Sequence, residues 1–200
     1  KKQKEAKTLV ASTEKKSNTI APQAKVTKEI DHEKTAAELR LSCDRMLASS
    51  FSLARQSLES SKDFFMSQTK EYELMLSRLE KLQEGGIEKF IIQGYMKKIN
   101  RPLTLTVNGL ARQYKLLDVD LKDQTLKVEF TFNTQIVKRQ LHIKDISSED
   151  NLQQIRPNDP NSASLYRMLY LARQTKTTAA LLELQNYSGI LKDELQRQLS

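Results

Sequence analysis

Two hundred residues with 33 Lys and Arg against 25 Asp and Glu carry a net charge of +8, and 38% of them are hydrophobic. That length suits one domain or two small ones, and the low apolar fraction allows a core along part of the chain only. A single cysteine, Cys43, excludes an internal disulfide and a cysteine-built zinc centre, and the longest apolar run, Met168–Ala172, is far short of the roughly 20 residues of a membrane-spanning helix, so no membrane insertion by this segment is expected.

The charge is unevenly spread. Residues 1–30 hold eight Lys and three Glu; residues 91–146 hold ten basic and five acidic groups; the two remaining stretches are near balance. Residues 1–30, rich in Lys, Thr, Ser and Ala, read as a flexible basic linker that cannot bury enough surface to offset its ordering entropy.

Residues 31–86 read as a helical segment. No Gly or Pro occurs between Asp31 and Glu84, and Gly85-Gly86 ends the element. Phe51, Leu58, Phe65, Tyr72 and Leu79 recur every seven residues, but Ser61 and Gln68 interrupt the companion row that a full coiled-coil seam needs. The choices are one helix of about 80 Å or a helical hairpin broken at Ser49-Ser50 or Ser60-Ser61. The five-residue stripe either packs on its own chain or is the contact for a protein partner or for self-association.

Residues 87–147 read as a small β-barrel with a leading helix. Ile87, Phe90, Ile91, Tyr95 and Ile99 fall at helical spacing and Pro102 stops the helix. Alternating apolar and polar residues then predict strands near 103–107, 110–120, 125–132, 135–139 and 141–144, with Asn108-Gly109 as a two-residue hairpin turn. Five short strands after a helix is the plan of a small antiparallel SH3-like or Sm-like barrel. Residues 148–200 read as C-terminal helices packed as a helical hairpin, starting at Ser147-Ser148-Glu149-Asp150 and continuing over about 161–173, 177–185 and 188–199. The fold class expected is therefore α+β.

Catalytic chemistry is not expected. The chain has no G-x-S-x-G elbow, no P-loop, no G-x-G-x-x-G and no protein-kinase signature set. Asp118, Asp120 and Asp123 resemble a calcium loop only faintly, because the sixth position is Asp123 rather than Gly. No cofactor or metal is expected. Lys97, Lys98 and Arg101 before the first strand, with Lys138, Arg139 and His142 on the later ones, could form a patch for a polyanion. Single-strand binding also needs exposed aromatics, and the alternation puts Phe130 and Phe132 on the core face beside Val128.

Two resemblances follow from these residues. The strand rhythm over 87–146 is similar to Sm-like and SH3-like barrels, although the Lys-His pair with which bacterial Sm-like RNA chaperones hold uridine is absent; that region reads Arg139-Gln140-Leu141-His142. More broadly, Glu88–Ile92, Leu103–Gly109, Lys115–Asp120, Thr125–Val128, Leu141–Ser147 and Ala179–Leu182 resemble the C-terminal non-catalytic regions of large serine/threonine protein kinases from planctomycete- and Lentisphaera-like bacteria. That resemblance implies an interaction or sensing module after a kinase domain, on the cytoplasmic or extracytoplasmic face of a membrane-anchored protein, and a chain read from its middle. An RNA-binding small barrel is the alternative function.

Overall fold

The computed structural model describes residues 32–200. The linker expected over 1–30 and the side chain of His32 lie outside the described residues.

Both serine pairs break the first helical stretch. Helix α1 (His32–Leu47) ends at Ser49, whose φ of 60° reverses the chain into α2 (Phe51–Ser60). A 3-10 segment, Lys62–Gln68, kinked at Phe65, then leads into α3 (Thr69–Gln83). The chain folds back on itself instead of running as one rod. Ser42, buried in α1, donates its hydroxyl to the Ala54 carbonyl of α2 at 2.9 Å, and the Arg45 guanidinium reaches the Leu53 carbonyl and the Ser57 hydroxyl. Such cross-links are what close helix packing permits once small residues let the backbones approach.

Helix α4 (Gly86–Met96) buries Ile87, Ile91, Ile92 and Tyr95 and leads into the sheet. Four strands follow in a meander, β1 (Pro102–Val107), β2 (Leu110–Asp120), β3 (Thr125–Phe132) and β4 (Gln135–His142), each antiparallel to the next. The first hairpin turn has Asn108 and Gly109 at φ 51° and 78°, the primed geometry that matches strand twist. Strand β2 is long and bent. Its first half pairs with β1 and its second half with β3, and a bulge between Leu116 and Asp118 makes the turn.

The expected five-stranded closed barrel is not formed: among the described residues the sheet is open and four-stranded, accompanied by eight α-helices, and 58% of those residues are helical. The segments anticipated at 135–139 and 141–144 are one strand, since pairing of β3 with β4 runs unbroken from Thr125↔His142 to Phe132↔Gln135. No turn residue stands at Gln140, so nothing there stops the ladder. Residues 143–145 leave the sheet as a 3-10 turn, capped by the His142 Nδ1, which accepts from the Lys144 N–H. Beyond it a single bridge, Val107↔Ile146, and a hydrogen bond from the Ser147 N–H to the Thr106 carbonyl cover the end of the β1 edge.

Helix α5 (Ser148–Leu152) starts on the Ser147 cap anticipated from its Ser and acidic residues. The Asp150 carboxylate accepts from the Thr106 N–H at 2.7 Å and thereby ties α5 to β1. Buried Asn151 does the same for three elements: its amide donates to the Ile143 carbonyl and its oxygen accepts from the Tyr95 hydroxyl of α4. Helices α6 (Pro160–Arg173), α7 (Thr177–Gln185) and α8 (Lys192–Leu199) complete the body. One contiguous apolar core runs through the helices and the inner half of the sheet, from Met46 and Leu79 to Leu116, Leu126 and Leu165.

Candidate functional site

The stripe Phe51, Leu58, Phe65, Tyr72 and Leu79 lies inside the chain's own core, with exposures of 6, 0, 4, 4 and 0%. The row runs over α2, the kinked 3-10 segment and α3, so it is no continuous seam, and each segment turns its own members inward. Phe65 stacks on Tyr72 with ring centroids 5.6 Å apart. The large apolar residues exposed along the same stretch, Leu53, Phe64, Met66 and Leu74, are not members of the row.

The residues expected to meet a polyanion separate into two places. Lys97, Lys98 and Arg101 occupy the connection between α4 and β1, which is held in shape by the Asn100 N–H donating to the Leu116 carbonyl and the Leu116 N–H donating to the Arg101 carbonyl. There they line a groove of about 600 Å³ together with Lys81 from α3 and Arg156 from the α5–α6 loop. Phe90 and Tyr166, with ring centroids 4.6 Å apart, also line it. None of these five cations has a carboxylate within ion-pair distance among the described residues.

Among the described residues one carboxylate lines the groove, Asp159, and it is already engaged. Asp159 caps α6, accepting from the Ser162 N–H and hydroxyl, and takes the buried Arg78 guanidinium at 2.9 Å. Burial pushes its carboxyl up, but donation from Ser162 and Arg78 outweighs this and holds it at about 2. The Lys98 ammonium is pushed down, first by partial burial and then by the neighbouring Arg156 charge, while the Asp150 carboxylate acts in the opposite direction. Gln154, also on the lining and 4% exposed, donates its amide N–H to the Asp150 carbonyl while its Oε1 has no partner.

Sequence reasoning missed Lys81 and Arg156, which are far in sequence from Lys97 and reach the groove only through the packing of α3 and of the α5–α6 loop. The tight seat of that loop depends on Gly94 in α4, where any side chain would meet the Gln154 backbone.

Lys138, Arg139 and His142 are on β4, apart from the groove. His142 is committed to its capping bond. Lys138 and Arg139 are exposed on opposite faces of the outer half of the sheet. Phe132, read from alternation as a core residue, is 53% exposed there, because β3 and β4 extend past the part of β2 that the helices support. The Asp118–Asp123 segment is used structurally: Asp118 pairs with Lys127 at 2.9 Å and Asp120 accepts from the N–H groups of Lys122 and Asp123 to shape the β2–β3 turn.

Among the described residues, no three His, Cys, Asp or Glu come together in a way that could hold a metal ion, and no helix is long and apolar enough to cross a membrane. Cys43 is buried in α1 and desolvation pushes its thiol up, with Glu194 and Asp44 adding to the effect. No family model, characterised protein or solved structure matches the chain.

Proposed function

We propose that this chain is a non-catalytic interaction module that holds an anionic partner in the groove between α4 and the α5–α6 loop. One observation carries the reading: Lys81, Lys97, Lys98, Arg101 and Arg156 come from three separate parts of the chain to one groove, and among the described residues no acidic side chain on its lining is free to neutralise them. Surface cations are ordinarily interspersed with carboxylates, as Arg55, Lys89, Lys127 and Arg173 are here; a concave cluster left uncompensated focuses a positive potential. Its volume is in the range of ligand sites. In the setting implied by the kinase resemblance, such a module would couple a bound anion to a catalytic domain elsewhere in the protein.

The test is fluorescence competition with inorganic polyphosphate at low and physiological salt. The wild type binds, more weakly as salt rises, and Lys98→Glu with Arg156→Glu lowers affinity by about tenfold or more, two reversed contacts each being worth several-fold. Arg156 is exposed and Lys98 half-exposed, so the variant folds, as circular dichroism checks. No binding at low salt, or equal binding by the variant, refutes the reading.

A further inference from the structure

The outer half of the sheet carries further cations without a carboxylate partner among the described residues, and one of them, Arg112, sits over two aromatic rings. Phe130 and Phe132 share one face of β3. The Arg112 guanidinium of β2 lies over both, 4.6 Å from the Phe130 centroid and 5.8 Å from that of Phe132. Across the β3–β4 ladder, Val137 faces Phe130 and Arg139 faces Val128, so Arg139 presents its charge on the same face. Neither Arg112 nor Arg139 has a carboxylate within ion-pair distance among the described residues. Phe132, half exposed at the end of a strand, is a large apolar surface beside the Arg112 guanidinium, which lacks a counter-charge among the described residues.

We propose that the anion is a single-stranded nucleic acid, with bases stacked on Phe130, Phe132 and Arg112 and the phosphate chain running on into the groove. This rests on the groove reading above and names its ligand. Phosphate binding alone accounts for the cations but leaves the exposed ring without a purpose; an unpaired base supplies a π-face for it, and a guanidinium stacks on bases as readily as it pairs with phosphate. A duplex keeps its base faces covered, so the strand must be single. Arg101 lines the groove, and the next residue, Pro102, lines a hollow of about 410 Å³ whose wall includes Arg112 and Phe130 together with Gln113, Lys115, Thr131 and Ile136 from the other face of the strands. Glu129 is on that hollow but is neutralised by Lys115 at 3.1 Å.

The experiment is fluorescence anisotropy on the whole chain with labelled oligo(U) and oligo(dT), an abasic strand of the same length, polyglutamate and polyphosphate. The oligonucleotides are expected to bind more tightly than the abasic strand, and binding of either sugar chemistry supports the proposal. Phe132→Ala, at an exposed site, is expected to weaken oligonucleotide binding by about five- to one hundred-fold and to leave abasic-strand and polyphosphate binding unchanged. Lys98→Gln with Arg156→Gln is expected to lower the salt slope by about 1.4, and Phe132→Ala to leave that slope alone. If the abasic strand binds as well as the others, or Phe132→Ala changes nothing, stacking is refuted while the groove reading survives. Polyglutamate binding in preference to the oligonucleotides points to an acidic protein partner and overturns the proposal. Failure of polyphosphate to bind the wild type removes the groove reading itself.

Discussion

Replacing Gly94 by Ala tests the seat of the groove wall. Gly94 lies in the last turn of α4, where the segment that follows α5 packs against its backbone. A Cβ built there would stand 2.6 Å from the Gln154 Cβ and 2.9 Å from its carbonyl carbon, and nearer still to the carbonyl oxygen. Ordinary carbon contacts begin near 3.4 Å, so the crossing segment must retreat by something close to an ångström. The obstacles include backbone atoms, and no rotamer change removes them. Alanine in a helix interior gains about 1 kcal/mol over glycine. Overpacking costs typically about 1–3 kcal/mol, and rigid neighbours place this case at or above the upper end. The expected net loss is about 2 kcal/mol or more, a fall in Tm of at least about 4–8 °C for a chain of this size. Urea unfolding followed by circular dichroism measures it. The same displacement carries Arg156 away from Lys98, so polyphosphate affinity should fall as well. A Gly94→Ala variant as stable as the wild type, with unaltered affinity, would refute the claim that close helix contact at this glycine sets the groove.

Two further outcomes follow from the packing and the charges. Asp159→Asn removes the counter-charge of Arg78, whose side chain is 7% exposed; because Asp159 itself is half exposed, the loss is about 1–2 kcal/mol rather than that of a fully buried pair. The folded carboxyl titrates at about 2, below the ordinary unfolded value of about 3.9, so its stabilisation is complete above about pH 4 and fades as pH falls towards 2. The difference in unfolding free energy between wild type and Asp159→Asn should therefore be constant at neutral and mildly acidic pH and close below that; a gap that widens with acid contradicts the sign. Leu79→Ala, in the core, should cost about 2–5 kcal/mol, whereas Leu74→Ala, 46% exposed, should change stability by about 0.5 kcal/mol or less. Equal effects in denaturant titrations would mean that the seven-residue row is not the chain's own core.

Much of the local structure was legible along the chain. Pattern and turn chemistry located the α4 helix, the Asn108-Gly109 hairpin, the Ser147 cap and most strand boundaries, and offered the serine pairs as candidate breaks beside an unbroken helix, because each depends on residues close in sequence. Alternation misjudged Phe132 since it reports which residues share a face, not whether anything covers that face. The bulge at Leu117 bends β2, and the outer ends of β3 and β4 pass beyond the helices. The seven-residue row was similarly ambiguous, as an apolar row is equally suited to a partner or to the same chain folded back.

Of the groove, Lys97, Lys98 and Arg101 could be found as a short basic run. Lys81 and Arg156 could not, because they are about 16 and 55 residues away from that run's ends and meet it only where α3, α4 and the α5–α6 loop come together. Composition and periodicity determine what each segment can bury and how it turns. Which charges lack a counter-charge is a property of distances in space, and these arise only when buried surface, the Arg78–Asp159 pair and the glycine crossing bring distant segments into one body.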